Sequence, residues 1–211
     1  MSAIIKLERI NKSYGDHVIF KDYSLEIEEN EIMVIMGKSG VGKTTLLNII
    51  GLIEDIDSGK ILLNHQEVQK KDKRKMHSEI IGFIFQNFAL LEEKTVLYNL
   101  QIVFPTIKLR KKNRNKMIDA LKMVGLDGYE NKLVCECSGG EKQRIALARL
   151  IVHDSQIILA DEPTGSLDQE NKDKILELLV KLKEQGKTII VVTHDDSFKA
   201  ISDKYLVLQK S

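Results

Sequence analysis

Short apolar runs separated by polar or glycine-rich segments recur along the whole chain. Near the N-terminus, residues 4–10, 18–20 and 23–27 predict three short strands, and apolar and polar positions alternate in the last of them. Apolar runs of four to six residues predict further strands at residues 32–36, 60–63, 80–85, 156–160, 188–192 and 205–208.

Helical periodicity fills several of the gaps between these strands. It predicts helices at residues 45–50, 69–79, 95–104, 108–124, 140–153 and 169–183. The last of these is amphipathic, with four apolar residues on one face: Ile175, Leu178, Leu179 and Leu182. Gly186 follows as a stop signal. Because strands alternate with helices, the pattern favours an α/β layer with a largely parallel sheet.

Composition and charge narrow the class of protein. The chain has 211 residues, enough for one large domain with a substantial core. Its 32 basic and 31 acidic residues nearly cancel, so the overall charge does not indicate a nucleic-acid partner. No apolar run approaches the ~18 residues of a membrane-spanning helix, and the first residues do not resemble a signal peptide. Cys135 and Cys137 are too close for a stable disulfide, so we expect a reduced, cytosolic protein.

The strongest chemical signal is a G-x-x-x-x-G-K-[ST] motif at residues 37–44, between a predicted strand and a predicted helix. Its glycines let successive amide N–H groups turn toward an anion, and the helix adds its positive N-terminal end. Lys43 supplies a charge for the outer phosphates, and the Thr44 hydroxyl is placed to bind Mg²⁺. The predicted phosphate site comprises Gly37, Ser39, Gly40, Val41, Gly42, Lys43, Thr44 and Thr45.

Two carboxylates, Asp161 and Glu162, directly follow the apolar run 157–160. A strand buried on both faces would deliver them at its C-terminal end, where α/β sheets bind ligands. Asp161 could then hold Mg²⁺, and Glu162 could orient or deprotonate a water beside the terminal phosphate. An acidic turn after a strand is common in proteins. The acidic pair indicates a metal-binding and catalytic site here only because the phosphate motif precedes it in the chain.

A second helix end that could bind an anion is predicted at Ser138, Gly139 and Gly140. Serine also caps helices that bind nothing, so this signal is weaker when taken alone. Two phosphate-binding helix ends in one chain indicate that a nucleotide is held between two copies of the chain.

The run from Ser138 to Arg144, between the phosphate motif and the acidic pair, resembles the signature sequence of ATP-binding-cassette (ABC) ATPases. The chain departs from that pattern at Cys137, where the family usually has leucine. Because cysteine behaves as a small hydrophobe, we expect the packing to survive.

Four further positions are similar to the family pattern, in the right order. Tyr14 is similar to the aromatic residue that stacks on adenine, and Gln86 to the glutamine that reaches Mg²⁺ and the attacking water. Asp168 ends a segment, residues 166–168, that resembles the loop crossing the dimer interface. His194 is similar to the switch histidine that contacts the γ-phosphate.

The resemblance covers essentially the whole chain and implies its fold. We expect an α/β protein: a P-loop NTPase (RecA-like) core with a mainly parallel sheet, an N-terminal antiparallel β-subdomain and an inserted α-helical subdomain. Residues 1–211 would form one ABC ATPase domain, with the core at 1–86 and 155–211 and the helical subdomain at 87–154.

The resemblance also implies a division of roles. Glu162, His194 and Gln86 would be catalytic, and Thr44, Gln86 and Asp161 would bind Mg²⁺. ATP would be bound by the phosphate motif, Tyr14 and Asp168 together with Ser138, Gly139 and Gly140.

The function implied is that of an ATP-hydrolysing transporter subunit. It would act at the cytoplasmic face of a bacterial membrane, form a homodimer on ATP binding, pair with a separate integral membrane permease and bind no nucleic acid. Residues 40–51 and 81–88 resemble the lipoprotein-releasing, macrolide-export and bacteriocin-export type, which implies export of a peptide, bacteriocin, lipoprotein or drug-like substrate. An ABC ATPase that drives transmembrane signalling remains the alternative.

Two surface features stay open. Residues 88–91 are unusually apolar for a loop, and they either receive a helix of the membrane partner or pack the helical subdomain. The basic runs at 70–75 and 108–116 are either solvated helix faces or contacts to anionic lipid, and the acidic residues elsewhere favour the first interpretation.

Overall fold

The computed structural model describes residues 3–85, 87–165 and 167–209. Its strands are β1 (Ala3–Tyr14), β2 (His17–Glu28), β3 (Ile32–Met36), β4 (Ser58–Leu63), β5 (Gln66–Glu67), β6 (Ile81–Ile84), β7 (Ile157–Asp161), β8 (Thr188–Val192) and β9 (Lys204–Val207). Its α-helices are α1 (Lys43–Ile50), α2 (Lys73–Glu79), α3 (Val96–Gln101), α4 (Ile107–Lys112), α5 (Arg114–Met123), α6 (Gly139–His153) and α7 (Gln169–Glu184). Short 3-10 turns lie at Lys70–Asp72, Val134–Glu136 and Asp196–Ala200.

The strands form two sheets. The antiparallel sheet has the order β2-β1-β4-β5, and the parallel sheet has the order β6-β7-β8-β3-β9. In the parallel sheet, Val192 of β8 pairs with Asp161 on one side and with Ile35 on the other. The carboxyl ends of β7, β8 and β3 therefore lie side by side at one edge.

Both faces of the parallel sheet are covered, which explains why its central strands read as unbroken apolar runs. On one face, Val34 and Val191 belong to an apolar cluster with residues of α3, α5, α6 and α7. On the other face, Ile35 and Ile190 belong to a second cluster with residues of α1 and β1. Every residue of β3 and β8 is buried. The predicted α/β fold with an added antiparallel sheet is confirmed.

Helices α3 to α6 all lie between β6 and β7 in the chain. Buried apolar residues of α3, α5 and α6 belong to the same apolar cluster as residues of the parallel sheet. The boundaries of the helical subdomain at 87–154 stay a prediction. Within the ranges described above, no helix has both the length and the apolar character that a membrane crossing requires.

Three predictions of secondary structure were wrong. The runs 18–20 and 23–27 belong to one strand, β2, which pairs with β1 on both sides of Asp22; there the backbone is left-handed (φ 47°), and the Asp22 N–H donates to Asn11 Oδ1 at 3.0 Å. The charged segment 69–79 is a 3-10 turn followed by α2 rather than one helix.

The third error concerns the predicted helix 108–124, which is two helices, α4 and α5. Asn113 separates them, and its side-chain amide donates to Leu109 O at 2.9 Å. Such side-chain bonds to nearby carbonyls compete with the helical pattern, and periodicity alone does not show them.

Gly82 of β6 provides a test of how tightly α6 packs on the sheet. A Cβ at this position would overlap Leu150 Cδ2 and Ser155 Oγ and would stand 3.0 Å from Ser155 Cβ. We predict that Gly82→Ala lowers the free energy of unfolding by about 1–3 kcal/mol, the usual cost of overpacking.

Denaturant unfolding of the full chain measures this effect, with Gly139→Ala as the matched control. Gly139 opens α6 and has no heavy atom within 4 Å of an added Cβ, so alanine there should be neutral or slightly stabilising. Equal stability of the two variants would contradict the packing described here.

Candidate nucleotide site

The loop between β3 and α1 has the shape of an anion-binding nest. Gly37, Gly40 and Gly42 have φ angles of 149°, 77° and 101°. Gly42 is further constrained because an added Cβ would lie 2.7 Å from Ile19 Cγ2 and 3.3 Å from Phe20 Cζ. Only glycine meets both conditions, the left-handed backbone and the close approach of β2.

Helix α1 begins at Lys43, and no side chain caps its N-terminus. The amide N–H groups of its first turn therefore have no side-chain acceptor there, and the helix dipole adds positive potential. The Lys43 ammonium lies across the loop and donates to Gly37 O at 2.9 Å and to Lys38 O at 3.2 Å. The loop can thus bind phosphate through backbone N–H groups, with Lys43 at its mouth.

A cavity of about 300 Å³ joins this loop to the end of β7. Its lining includes Ser39, Gly40, Gly42, Lys43, Thr44, Thr45, Asp161 and Glu162. The parallel pairing of β7, β8 and β3 brings together residues that are more than 100 positions apart in the chain. The phosphate motif and the acidic pair predicted from the sequence therefore share one cavity.

Thr44 and Asp161 form a pair of hard oxygen ligands. The Thr44 hydroxyl donates to Asp161 Oδ1 at 3.4 Å. Burial, together with the neighbouring charge of Glu162, raises the pKa of the Asp161 carboxyl, although the Thr44 hydrogen bond opposes this. A divalent cation would relieve the cost of this buried charge, and such a donor set suits Mg²⁺. No group of three or more His, Cys, Asp or Glu ligands gathers in the described ranges.

Glu162 is held in place at both of its carboxylate oxygens. Oε2 accepts from the Thr193 hydroxyl at 3.0 Å, and Oε1 lies 2.9 Å from Nδ1 of His194. Its backbone is left-handed (φ 47°), and its N–H donates to Val192 O at 2.8 Å. A non-glycine residue in this conformation is uncommon and often marks a functional site. Of the two partners, sequence reasoning identified His194 and missed Thr193.

Asp195, which follows His194, is a second residue that sequence reasoning missed. Its carboxylate accepts from Lys172 Nζ of α7 at 2.8 Å and from the Ser197 N–H at 3.0 Å. Partial burial would raise the pKa of Asp195, but these hydrogen bonds outweigh it and hold that pKa at about 2. The carboxylate thus stays charged and fastens the segment after β8 to α7. Its position next to His194 was the only signal in the sequence.

Ser138 caps α6 in a capping box. Its Oγ accepts from the Glu141 N–H at 3.2 Å, and its own N–H donates to Glu141 Oε2 at 2.7 Å. Ser138 and Gly139 are exposed, and neither they nor Gly140 belong to the lining of the 300 Å³ cavity. A single copy of the chain therefore keeps its two candidate anion-binding helix ends in different places.

Cys137 is buried in the apolar cluster beside α6, as expected for a residue that replaces leucine. Burial raises the pKa of its thiol, which favours the neutral, unreactive form. The departure from the signature pattern is therefore a packing substitution at the base of α6.

The segment before α7 is linked to α6 by side chains. Asp168 caps α7 by accepting from the Asn171 N–H at 2.9 Å, and Asn171 Oδ1 accepts in turn from the Arg144 guanidinium. An added Cβ at Gly140 would stand 2.7 Å from the Asn171 side chain. Asp168 and the signature segment thus lie on either side of Asn171, at one surface.

The remaining predicted residues lie apart from the cavity or outside the described ranges. Tyr14 ends β1 with 49% of its surface exposed, and Lys12 Nζ lies 4.8 Å from its ring centroid. Tyr14 and Asp168 do not line the cavity, whereas Val41 lines a neighbouring cavity with Gly37. Gln86, predicted to be catalytic and metal-binding, lies outside the described residues, as does position 166.

Arg149 of α6 is a third residue that sequence reasoning missed. Its guanidinium donates to Phe88 O at 3.0 Å and to Ala89 O at 2.6 Å. Both Phe88 and Ala89 have a left-handed backbone, with φ angles of 60° and 46°. Arg149 thus holds a strained turn two residues after Gln86 and connects it to the signature helix.

Comparison with known proteins gives a consistent result. The sequence profile of the ABC transporter family matches residues 20–165. The lipoprotein-releasing system ATP-binding protein LolD of Bacteroides thetaiotaomicron is 38% identical over 95% of this chain and 94% of its own length. The macrolide export ATP-binding/permease protein MacB of Campylobacter jejuni is 38% identical over 98% of this chain, which spans only 33% of MacB.

Solved structures agree with these relatives. The ATP-binding cassette MJ0796, in a dimeric post-hydrolysis state bound to ADP and Pi, superposes with a TM-score of 0.87 at 34% identity, over 97% of this chain and 94% of that one. CbiO1 of Clostridium perfringens, part of the transporter complex cbiONQ, superposes with a TM-score of 0.90 at 30% identity, over 99% of this chain and 86% of that one. The resemblance drawn from the motifs is confirmed: the chain belongs to the ABC transporter family and is an ATP-binding, ATP-hydrolysing subunit of the LolD/MacB type.

Proposed function

We propose that two copies of the chain hydrolyse Mg²⁺-bound ATP at their interface, and that this cycle drives export through a separate permease at the cytoplasmic face of a bacterial membrane. One observation carries the proposal. The phosphate loop, Asp161 and Glu162 share a cavity. The N-terminal end of α6, called its signature end because it carries Ser138 and Gly139, lies outside that cavity in the same copy. A second copy, placed head to tail, would bring its own signature end to the bound nucleotide.

The site residues predicted from the sequence would divide the work of binding. Backbone N–H groups of residues 37–45 and the Lys43 ammonium would hold the phosphates, while Tyr14 would stack on the adenine. Thr44 and Asp161, with Gln86, would hold Mg²⁺, which when bound neutralises charge on the phosphates. From the second copy, Ser138, Gly139, Gly140 and Asp168 would close the site.

The proposed catalytic step depends on where Glu162 is held. Thr193 and His194 fix its carboxylate at the end of β7, where it can orient a water and accept its proton. The His194 side chain is 75% exposed, so it can contact the γ-phosphate while Nδ1 stays against Glu162. Phosphoryl transfer of this kind relies mainly on positioning and charge stabilisation.

The names of the relatives support export over signalling, and they support pairing with a permease. LolD is named for lipoprotein release and MacB for macrolide export, and MacB joins an ATP-binding part and a permease in one chain. LolD is named as an ATP-binding protein alone and is matched over 94% of its length, which supports our proposal that a separate protein supplies the permease part. The MJ0796 cassette, which was solved as a dimer with ADP and Pi, supports the two-copy arrangement.

The contact with the permease is proposed at the turn that Arg149 holds. A cavity of about 220 Å³ beside it is lined by Phe83, Phe85, Val103 and Arg149, among others. Leu91 lies exposed at the end of the same turn, whereas Leu90 packs against the core. Both open interpretations of residues 88–91 thus find support, with Leu90 facing inward and Leu91 available to a partner helix.

The role of Glu162 leads to a test by isosteric substitution. Glu162→Gln keeps the shape of the side chain but cannot accept a proton from water. We predict that this variant binds ATP, hydrolyses it about 100-fold more slowly or worse, and accumulates as an ATP-bound dimer. Phosphate release and size-exclusion chromatography with ATP measure the two effects.

Glu177→Gln, on the exposed surface of α7, is the control and should behave as wild type. Hydrolysis by Glu162→Gln at the wild-type rate would refute the assigned role.

The permease contact can be tested with an exposed side chain, which avoids disturbing the core. Leu91→Asp should leave the ATPase activity of the purified chain unchanged but strongly reduce its co-purification with the permease, because a charge would enter an apolar contact. Ile53→Asp is the control variant, and it is matched in exposure because Ile53 is 48% exposed and Leu91 is 47% exposed. If Leu91→Asp retained the permease as well as Ile53→Asp does, the proposed contact would be wrong.

A further inference from the structure

We infer that the chain carries a lipid-binding surface: Lys108, Lys111, Lys112 and Arg114, together with Ile107, contact anionic headgroups of the membrane that holds the permease. These five residues, from α4 and the first turn of α5, are called the α4 surface below. The inference rests on the proposed function, because that function places the chain at a membrane. Its test, however, requires no permease.

The charge of this region is one-sided. Residues 94–118 contain seven basic residues and no acidic residue, although the 32 basic and 31 acidic residues of the whole chain nearly cancel. In the part of the chain that the structure describes, none of the four cations of the α4 surface is paired with a carboxylate. Lys116, one turn further along, does have such a partner, Asp154, at 3.6 Å. The α4 surface therefore presents uncompensated positive charge.

The other basic run provides a contrast within the same molecule. Around residues 70–75, Lys73 and Lys70 approach Asp55 at 2.5 and 3.8 Å. These contacts lower the pKa of the Asp55 carboxyl, with the Lys73 hydrogen bond as the largest cause. Asp55 and Asp72 thus lie among the cations of that run, which fits a solvated helix face, whereas the cations of the α4 surface have no such acid among them.

Exposed apolar side chains distinguish a lipid surface from a nucleic-acid surface. Helix α4 buries none of its six residues, and Ile107 and Leu109 are 70% and 38% exposed. An aliphatic side chain among lysines can enter the boundary between headgroups and acyl chains, as in interfacial helices. Binding of single-stranded nucleic acid would instead call for aromatic side chains on which bases stack, and α4 has none.

The position of α4 also suits a membrane contact. Val103 lines the 220 Å³ cavity proposed for the permease helix, and α4 begins only four residues later, at Ile107. Four residues span at most about 14 Å, so α4 stays close to that cavity. A permease helix seated there would connect to the membrane, and the α4 surface would lie near the anionic leaflet.

Sedimentation of the full chain with lipid vesicles tests the inference directly. We expect binding to vesicles that contain phosphatidylglycerol, much weaker binding to vesicles of phosphatidylcholine alone, and release by salt. The double variant Lys111→Gln/Lys112→Gln should reduce the affinity about 25-fold, because each cation near an anionic surface contributes about fivefold. Ile107→Asn should weaken binding severalfold without changing thermal stability, since the side chain is exposed.

The matched control is Lys70→Gln/Lys71→Gln, which removes the same charge from the other basic run and should keep vesicle binding. The inference fails if both double variants bind alike, if phosphatidylcholine vesicles bind equally well, or if a single-stranded RNA competes at lower concentration than the vesicles do. ATP hydrolysis by the purified Lys111→Gln/Lys112→Gln variant should match that of wild type. A wild-type chain that hydrolysed no ATP would contradict the proposed function. A wild-type chain that hydrolysed ATP but did not bind the anionic vesicles would contradict only this inference.

Discussion

The proposed nucleotide site depends on the side-by-side pairing of β7, β8 and β3. Each strand contributes its carboxyl end: the phosphate loop follows β3, Asp161 ends β7 and Glu162 follows it, and Thr193 and His194 follow β8. Since these strands are buried on both faces, a slip in register would move apolar side chains out of two packed layers at once. The packing energy of the whole domain therefore fixes the geometry of a few polar groups.

Those polar groups need the support of the packed core because their arrangement is unfavourable in free energy. Asp161 is a half-buried carboxyl with a raised pKa, and Glu162 combines a left-handed backbone with a carboxylate held by Thr193 and His194. The Lys43 ammonium donates to two carbonyl groups of its own loop, those of Gly37 and Lys38. A bound triphosphate with Mg²⁺ would provide the missing opposite charges, so the site is organised for a ligand that balances both the acid pair and the ammonium.

A second set of contacts connects the site to surfaces that would meet other molecules. Asp195 and Lys172 join the segment after β8 to α7, and Arg149 joins α6 to the turn at Phe88. Movement of α6, the helix that carries the signature residues, would therefore change the structure both at the proposed dimer interface and at the proposed permease contact. This physical route is compatible with the coupling of ATP hydrolysis to transport.

Much of the fold and of the candidate site could be predicted from the sequence, because these parts depend on local patterns of residues. The strands predicted at 32–36, 156–160 and 188–192 correspond to β3, β7 and β8, and they and the phosphate loop were identified from apolar runs and glycine spacing. The break at Asn113 and the continuity of β2 through Asp22 were not, because each depends on one side-chain hydrogen bond. Thr193, Asp195 and Arg149 were missed for a related reason: their partners are distant in sequence, so only the folded chain shows their contacts.

Calorimetric titration of the full chain with ATP and Mg²⁺ tests most directly whether the loop before α1 grips a triphosphate. Lys43→Ala should reduce the affinity about 10- to 100-fold, because it removes charge-assisted hydrogen bonds to phosphate. Lys38→Ala, an exposed lysine in the same loop, should leave the affinity unchanged. Unaltered affinity in Lys43→Ala, or an equal loss in both variants, would contradict the site described here.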